Sequence, residues 1–238
     1  SCTDLIVAAR PARVVAALAD PDSRTNGDGL ARIAAAGIET LHLPCQQAEE
    51  ALAGYLMQRR EGRPLVTLKL ALSLDGKIAL ASGESRWITG KAARAHVHAQ
   101  RAQAEAILVG GGTWRADRPQ LDVRLPGLEA RSPQRILLSR GVAPDGVKVI
   151  NAPEAIASLE GVQHLYVEGG AGAAAAFLGA DLVDRLHIYT APILIGGDGL
   201  PAIGELGLGD LASAHGRWEQ VETRQLGSDR FTAYRRAR

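Results

Sequence analysis

A cluster of glycines follows an apolar run in the segment VEGGAGAAAAF, residues 167–177. Glycines at the end of a strand let backbone N–H groups approach an anion, and the N-terminus of a following helix adds a partial positive charge. Such a turn suits a diphosphate, although close packing of a helix on a sheet would also explain the glycines. Gly170 and Gly172 are spaced nearly as in the dinucleotide fingerprint. The next strand has no acidic residue at its end to hold an adenine ribose, so the sequence favours a nucleotide site unlike the standard Rossmann type.

A second glycine turn follows another apolar run in VGGGTWRADRPQLDVR, residues 109–124. Two glycine turns at strand ends could flank one ligand from two sides, in the crevice where open α/β sheets bind ligands. This arrangement predicts that four polar side chains lie near one crevice: Thr113, Asp117, Arg124 and Glu168. Asp117 could instead be an ordinary loop cap.

Three further side chains could act in that crevice. Lys69 lies within the apolar run LVTLKLAL, where an ammonium is unfavourable without a partner, and a buried lysine beside a pocket is a candidate proton donor. Arg101, in a predicted helix, suits a bidentate grip on phosphate or else belongs to a solvated face. Trp87, next to a turn, either packs in the core or stacks on a nicotinamide or base.

The elements that must position these residues alternate between strands and helices. The pattern of residues 13–44 predicts a strand–helix–strand unit, and that of residues 46–60 predicts a helix. The Gly-Arg-Pro sequence at 62–64 breaks this helix, so we place the domains at 1–62 and 63–238. Predicted strands of the second domain are 65–72, 106–110, 135–139, 147–150, 164–168, 186–194 and 230–236. Predicted helices are 90–106, with Thr89 at the N-cap, and 172–182. This alternation indicates an α/β sheet, largely parallel, with an antiparallel edge.

Composition excludes several classes of function. Lys and Arg number 27 against 26 Asp and Glu, and their interspersion gives no basic face for nucleic acid or an anionic membrane. No run of about 18 apolar residues and no secretory signal is present, so we expect a cytoplasmic protein without a membrane partner. Cys2 and Cys45 are too few for a disulfide framework and are expected to be free thiols.

Six segments of the chain, in this order, are LKLALSLDGKIA, SGESRWITG, RAQAEAILVGGGT, ADRPQLDVR, YVEGGAG and DRLHIYTAPILIGG. Together they resemble the C-terminal reductase domain of the bifunctional riboflavin-biosynthesis deaminase/reductase. The resemblance covers residues 64–236. It implies an α/β fold of the dihydrofolate-reductase-like type, a three-layer sandwich with a mixed, mostly parallel sheet. It also implies reduction, by NADPH, of the ribosyl group of 5-amino-6-(5-phosphoribosylamino)uracil to a ribityl group. The expected partners are therefore this small phosphorylated ribosylaminopyrimidine and a second copy of the chain, with which it would form a homodimer.

The resemblance also implies roles for individual residues. On the dinucleotide side stand Ala71, through its backbone, Ser85, Trp87, Thr113, Asp117 and the loop Gly170, Ala171, Gly172, Ala173, Ala174, Ala175 and Ala176. On the substrate side stand Lys69, Arg101, Leu121, Arg124 and Glu168. Ser139, followed by Arg140 just past a strand, is a candidate site for the 2′-phosphate of NADPH.

The requirements of hydride transfer suggest which of these residues act in catalysis. Hydride must reach C1′ of the sugar in its open, imine-like form, and a proton must reach the departing ring oxygen or nitrogen. Lys69 and Asp117 are the candidates for that proton, with Glu168 as a third catalytic residue, while Arg101 and Arg124 would hold the 5′-phosphate. Many members have two consecutive acidic residues where this chain has Asp117 and Arg118, so the second position is not expected to be catalytic.

The first segment, SCTDLIVAARPARVVAALADPDSRTNGDGLARIAAAGIETL, resembles the last third of the same family's zinc-dependent deaminase domain. Cys2 stands where that domain has its final zinc-ligating cysteine. In such deaminases one His and two Cys hold zinc, and a Glu next to the His moves protons. Because a single ligand cannot make the site, we expect neither zinc nor deamination here. This small α/β remnant belongs either to a fragment of a longer bifunctional enzyme or to a chain that has lost its deaminase and keeps these elements as packing. The match begins inside the zinc motif, which favours a fragment.

Two alternatives to the pyrimidine reductase remain open from the sequence. One is a dihydrofolate-reductase-like oxidoreductase that acts on another substrate, because folds of this type host several chemistries. The other is a catalytically silent nucleotide-binding module, which would bind NADPH but reduce none of the candidate substrates. The order of reduction and deamination also stays open, so the natural pyrimidine could be the diamino form.

Overall fold

The computed structural model describes residues 1–22, 27–141 and 144–237. The chain divides into two compact units, Ser1–Arg63 and Pro64–Arg238. This division lies one residue after the domain boundary that the sequence predicts.

The first unit is a small α/β arrangement. Its elements are α1 (Cys2–Ala9), β1 (Arg13–Ala16), α2 (Asp28–Ala35), β2 (Glu39–His42), α3 (Gln46–Ala51) and α4 (Ala53–Glu61). Strands β1 and β2 pair in parallel, which confirms the predicted strand–helix–strand unit. The helix predicted over 46–60 is instead two helices, because Leu52 has left the helical conformation with φ −105°. Helix α4 ends at Gly62, whose φ of 68° is one that glycine adopts easily.

The second unit carries the long strands. Its elements are β3 (Leu65–Leu72), β4 (Lys77–Ala79), α5 (Lys91–Arg101), β5 (Ala106–Gly110), α6 (Gly111–Asp117), β6 (Gln134–Leu138), β7 (Lys148–Ile150), β8 (His164–Val167), α7 (Ala171–Gly179), β9 (Arg185–Thr190), β10 (Leu200–Pro201), β11 (Trp218–Leu226) and β12 (Asp229–Arg236). Short 3-10 helices cover Glu129–Arg131, Pro153–Ser158 and Ala212–Ala214.

Within the described residues, eight of these strands form one sheet in the order β11-β12-β9-β3-β8-β5-β6-β7. From β9 to β7 all neighbours are parallel, whereas β12 is antiparallel to β9 and β11 is antiparallel to β12. The predicted sheet, largely parallel with an antiparallel edge, is therefore confirmed. Strand β3 lies between β8 and β9, so most of its residues are buried, as its apolar sequence requires, and only Lys69, Ala71 and Leu72 are partly exposed.

Helices cover both faces of this sheet. On one face, α7 contributes Ala174 and Phe177 to a core with Leu68 and Leu70 of β3. On the other face, α5 contributes Val97, among other side chains, to a second core. Each fully buried large side chain of this kind stabilises the fold by about 1.5 to 3 kcal/mol relative to exposure. The result is the expected three-layer sandwich.

The start of α5 differs from the prediction. Thr89 is not its N-cap: Gly90 occupies that position, and its backbone N–H donates to Oδ2 of Asp229 at 2.6 Å. The Thr89 carbonyl accepts a hydrogen bond from the guanidinium of Arg94 instead. The anchor at this helix end is therefore an aspartate that lies 139 residues away in the chain, which local spacing could not indicate.

Candidate active site

The carboxyl ends of β3, β5 and β8 meet at one edge of the sheet and open into a cleft of about 1070 Å³. Beyond β5 the chain continues outward through α6 to β6, whereas beyond β8 it crosses through α7 to β9 on the other side of β3. The direction of the connections thus changes between β5 and β8. Ligands of open α/β sheets bind at such a switch point, and the cleft lies there.

Most of the residues predicted for the site line this cleft. They are Lys69, Ala71, Ser85, Trp87, Arg101, Thr113, Asp117, Leu121, Arg124, Glu168, Gly170, Ala171, Gly172 and Ala173. The structure therefore brings both predicted groups, the cofactor side and the substrate side, into one cleft. Ser139, Ala174, Ala175 and Ala176 are not among the lining residues.

The most strongly bonded group in the cleft is the carboxylate of Glu168. Arg101 grips it with two hydrogen bonds, from Nε to Oε1 at 2.6 Å and from Nη2 to Oε2 at 3.0 Å. The Nζ of Lys69 lies 3.6 Å from Oε2. All three side chains are largely withdrawn from water, with 8% of Glu168, 11% of Arg101 and 17% of Lys69 exposed. The cleft thus contains a desolvated carboxylate between two cations.

The sheet geometry explains why these residues meet. Side chains alternate between the faces of a strand, so Lys69 points to the face opposite Leu68 and Leu70, which belong to the core under α7. Glu168 follows β8 directly, and Arg101 is the last residue of α5, the helix on that same face. Lys69 is tolerated within the apolar run because its ammonium is paired with Glu168, as a buried ammonium needs a partner.

These contacts fix the charge of Glu168. Burial raises the pKa of its carboxyl, but the charges of Lys69 and Arg101 and their hydrogen bonds outweigh burial and lower the pKa from 4.5 to about 2. Glu168 is therefore ionised at neutral pH. It can accept hydrogen bonds from a ligand and orient Lys69, but it holds no proton to donate.

The two glycine turns touch each other across the cleft. The backbone N–H of Gly170 donates to Oγ1 of Thr113 at 2.9 Å, so the turn after β8 is tied to α6, which follows β5. The first N–H groups of α7 have no partner within the helix, as at any helix start. A ligand anion in the cleft can therefore bind at Ala171, Gly172 and Ala173, which line it.

Gly169 is required by close packing rather than by its backbone angles. A Cβ at this position would lie 2.4 Å from Cβ of Ala173, so we expect Gly169→Ala to lower the free energy of unfolding by roughly 1 to 3 kcal/mol through overpacking. Urea denaturation measures this change. Gly172→Ala is the matched control, because its Cβ would meet open space. Equal losses in both variants would show that the contact with Ala173 is not the cause.

Four residues predicted for the cofactor lie off the cleft for identifiable reasons. Ala174 is fully buried in the core beneath α7, and Ala175 faces Gly204, where a Cβ would be 3.3 Å from its own. Ala176 lies further along the same helix. The hydroxyl of Ser139 accepts a hydrogen bond from the N–H of Gly141 at 3.0 Å. Their predicted roles at the cofactor stay predictions.

Trp87 lies on the rim of the cleft. Its side chain is 64% exposed, so the interpretation of Trp87 as a core residue is wrong. The guanidinium of Arg94 lies over its ring at 4.5 Å from the centroid, a cation–π contact. The preceding peptide bond, Arg86-Trp87, is cis, and Arg86 donates to the carbonyl of Asp117 at 3.1 Å. The tryptophan ring thus lies at the rim of the cleft, with Arg94 over one face and most of the residue exposed.

The segment that carries Asp117, Leu121 and Arg124 closes one side of the cleft. Leu121 is buried and has a φ of 57°, unusual for a residue with a side chain. Arg124 is 57% exposed, and its Nε lies 3.4 Å from Oδ1 of Asp122. Arg124 therefore keeps most of its donors available to a ligand.

Sequence reasoning missed several polar residues of the cleft, among them Arg86, Arg94, Gln120 and His98. His98 lines it and contacts the backbone of both Asp122 and Arg124. The available signal was its position on α5, three residues before Arg101, since residues at that spacing share a helix face.

The described residues contain no group of side chains that could hold a metal ion and no helix that could cross a membrane. In residues 1–22, 27–141 and 144–237 no three His, Cys, Asp or Glu side chains are grouped so that they could hold a metal ion. Among the helices of that same part of the chain, none has the length and apolar character needed to cross a membrane.

Comparison with known proteins identifies the family. Residues 64–231 match the family model of the RibD C-terminal domain. The riboflavin biosynthesis protein RibD of Mycobacterium tuberculosis (strain CDC 1551 / Oshkosh) is 36% identical over 244 aligned residues, which cover 96% of this chain and 71% of that protein. The match extends beyond the reductase segment into the first unit.

Solved structures show the same relationship. The structure of Acinetobacter baumannii RibD, form 1, superposes with a TM-score of 0.89 at 30% identity, covering all 100% of this chain and 76% of that one. A diaminohydroxyphosphoribosylaminopyrimidine deaminase/5-amino-6-(5-phosphoribosylamino)uracil reductase from Thermotoga maritima superposes with a TM-score of 0.85 at 28% identity, covering 99% and 74%. The fold is the dihydrofolate-reductase-like α/β sandwich that the resemblance implied. The chain therefore belongs to the RibD family of riboflavin-biosynthesis proteins, and its second unit is the reductase domain of that family.

Proposed function

We propose that this chain uses NADPH to reduce the ribosyl group of 5-amino-6-(5-phosphoribosylamino)uracil to the ribitylamino product. The observation that carries the proposal is the buried Lys69–Glu168–Arg101 network in the same cleft as two glycine turns. One part of the cleft thus suits an anionic dinucleotide and another part suits a polar sugar. The name of the Thermotoga maritima relative, which includes this reductase activity, supports the choice of substrate.

The residues on the cofactor side fit a dinucleotide. A Cβ at Gly112 or Gly172 would meet nothing within 4 Å, so both glycine turns leave room for a diphosphate beside the N-terminus of α7. The exposed ring of Trp87 can stack on a nicotinamide or base. Bound NADPH supplies the hydride. The choice of NADPH over NADH rests on resemblance, with Ser139 and Arg140 as candidates for the 2′-phosphate.

Lys69 is the better of the two predicted proton donors. Its ammonium has three N–H donors and is oriented by Glu168. As hydride adds to C1′, it can give a proton to the ring oxygen if the C1′–O bond breaks, or to the imine nitrogen if the sugar is already open. Glu168, ionised beside two cations, can accept hydrogen bonds from the sugar hydroxyls. Asp117, which also lines the cleft, stays the alternative donor.

The contacts of the two arginines support different roles for them in the proposed reaction. Arg101 donates twice to Glu168 and once, from Nη1, to the carbonyl of Asp122 at 2.8 Å. Three of its five donors are thereby used, so we assign Arg101 to the positioning of Glu168. Arg124, whose guanidinium is more exposed, is then the arginine that holds the 5′-phosphate.

The proposal also covers the cellular compartment and the oligomeric state of the enzyme. We propose that it acts in the cytoplasm, where its phosphorylated substrate and NADPH are made, and that it forms a homodimer through the reductase unit. Analytical ultracentrifugation of the purified chain tests the dimer, and a sedimenting species of single-chain mass would contradict it.

Hydride transfer tests the proposed activity directly. The purified chain is mixed with the ribosylaminopyrimidine phosphate and NADPH carrying deuterium at C4, and we expect loss of NADPH absorbance together with one deuterium at C1′ of the product. The diamino form of the substrate, NADH in place of NADPH, and other carbonyl or imine compounds serve as comparisons. Binding of NADPH without reduction of any of these compounds would reject the proposal.

A further inference from the structure

His98 lies between the two arginines of the substrate side. It stands on α5 one helical turn before Arg101, and both side chains line the cleft. The backbone N–H of Arg124 donates to its Nδ1 at 3.2 Å, and the carbonyl oxygen of Asp122 lies 3.1 Å from the same atom. Its other ring nitrogen, Nε2, is therefore the one left for a ligand.

The two contacts at Nδ1 require different placements of the ring protons. Nδ1 must be bare to accept from Arg124, whereas donation to Asp122 needs Nδ1–H, which both the neutral Nδ1–H tautomer and the protonated ring provide. A neutral ring that accepts from Arg124 at Nδ1 carries its proton on Nε2. A protonated ring donates from Nδ1 to the carbonyl of Asp122 and again carries a proton on Nε2. Both states thus have a backbone partner at Nδ1, and Nε2–H is a donor in both. The site can hold His98 in one position whether or not it is charged.

The surrounding charges favour the neutral ring in the free protein. The charged groups that face His98 are Arg101 on its own helix, Arg124 on the loop after α6, and Glu168 after β8. Burial and the two arginine charges lower the pKa of His98, and the Asp122 carbonyl and Glu168 oppose this only in part. A dianionic phosphate beside Arg124 would reverse the balance, because a negative charge nearby favours the protonated ring.

From this geometry we infer that His98 is a second ligand of the substrate phosphate and takes up one proton from solvent when that phosphate binds. Its Nε2–H donates to a phosphate oxygen, and its Nδ1–H donates to the carbonyl of Asp122. The inference rests on the proposed function, which supplies a ligand of this class, a sugar 5-phosphate dianion. Arg124 gives the site a permanent positive charge, and His98 adds one that appears only with the ligand.

Isothermal titration with ribose 5-phosphate tests the proton uptake. Titrations at one near-neutral pH in buffers of different ionisation enthalpy give the number of protons bound, and we expect wild type to take up close to one more proton than His98→Gln. The glutamine amide reaches the position of Nε2 but cannot ionise, and the ionisation of the phosphate itself is common to both proteins. His215→Asn, which changes an exposed histidine outside the cleft, is expected to behave as wild type.

His98→Asn separates the phosphate contact from support of the loop. The asparagine amide reaches the position of Nδ1, so it can keep the contacts to Asp122 and Arg124, but it cannot reach a ligand at Nε2. We expect it to bind ribose 5-phosphate roughly tenfold more weakly than wild type, because a hydrogen bond to a charged group is lost. Urea denaturation of each variant checks the fold, and the glutamine variant suffices if the asparagine variant does not fold.

Two results would overturn the inference: equal proton uptake in wild type and His98→Gln, or no binding of ribose 5-phosphate to wild type. The first would do so even if wild type reduces the ribosylaminopyrimidine phosphate with NADPH, in which case the proposed function survives. Conversely, excess proton uptake without any oxidation of NADPH would support the role of His98 at a phosphate and reject the proposed reductase.

Discussion

Lys69→Ala is expected to lower kcat by roughly 10²- to 10⁴-fold, the usual contribution of a positioned proton donor. Its ammonium lies 3.6 Å from a carboxylate that is held in place by Arg101, so the group is oriented before the substrate arrives. Without it, the proton must come from water, whether it goes to the ring oxygen as the C1′–O bond breaks or to the imine nitrogen, which stays bonded to C1′. Steady-state oxidation of NADPH with saturating ribosylaminopyrimidine phosphate measures the loss.

The fold and the cofactor site should survive this substitution. Glu168 keeps its two hydrogen bonds to Arg101, so the loss of one ion-pair partner should lower stability by only about 1 kcal/mol. Binding of NADPH, followed by quenching of tryptophan fluorescence, should stay as in wild type. Lys148→Ala is a matched control, because this lysine lies on the short edge strand β7 and does not line the cleft.

The outcome for Lys69 also decides between the two candidate donors. A raised KM with an unchanged kcat would mean that Lys69 only binds the substrate, and the proton would then be assigned to Asp117. In that case Asp117→Asn should show the large loss of kcat instead. If both variants turn over as wild type does, the assignment of this cleft as the site of reduction is wrong.

The buried strands and the glycine turns were predictable because each carries a local signal. Strands β3, β5 and β8 are nearly continuous apolar runs, as expected of parallel strands buried on both faces. Glycines follow β5 directly and follow β8 after Glu168. Since the carboxyl ends of parallel strands share one edge of a sheet, these two facts were sufficient to bring Thr113 and Gly170 together. Their hydrogen bond shows that the two turns lie side by side.

The pairing inside the cleft was not predictable, because it joins residues far apart in the chain. Arg101 and Glu168 are separated by 67 positions, and no local pattern indicates that a helix end will lie over that strand end. The same holds for the start of α5, where the N-cap is Gly90 and its N–H is held by Asp229, not by Thr89. Tertiary contacts determine where these side chains lie, whereas the local helix and strand propensities of the sequence indicate only which elements form.

Some elements were missed for a different reason: their own sequence carries little signal. Strand β11 has mostly exposed side chains and lies at the sheet edge, so its sequence WEQVETRQL shows few apolar residues. Helix α6 begins with glycines, which are poor helix formers. Strands β4 and β10 are only 3 and 2 residues long. In each case pairing or packing with the rest of the unit stabilises an element that its own residues do not specify.

Glu168→Gln is expected to lower both stability and activity. The substitution keeps the shape of the side chain but leaves Arg101 and Lys69 as two buried cations without their counter-charge, which typically costs about 3 to 5 kcal/mol. It also removes the carboxylate that orients Lys69, so kcat/KM should fall by roughly 10²-fold. Urea denaturation and steady-state kinetics measure the two effects. Glu154→Gln, at an exposed glutamate of a 3-10 helix, is the matched control.

The pH dependence of stability gives an independent measure of the same network. The pKa of Glu168 falls from 4.5 to about 2 on folding, so the folded protein binds fewer protons here than the unfolded chain does. The stabilisation, of the order of 3 kcal/mol, is therefore complete above about pH 4.5 and is lost as the pH falls toward 2. The difference in unfolding free energy between wild type and Glu168→Gln should shrink over that window. A difference that is independent of pH would show that the ionised carboxylate is not its source.

Removal of all three charges separates the structural role of the network from its chemical role. A buried ion-pair network is often replaced by apolar residues of similar volume with little loss, or even a gain, of stability, whereas removal of one member is strongly destabilising. The triple variant Lys69→Met, Arg101→Met and Glu168→Met should therefore be more stable than Glu168→Gln, yet reduce no substrate. If the triple variant is instead the less stable of the two, the network is needed for the fold itself. In that event loss of activity in Glu168→Gln would no longer assign a chemical role to the carboxylate.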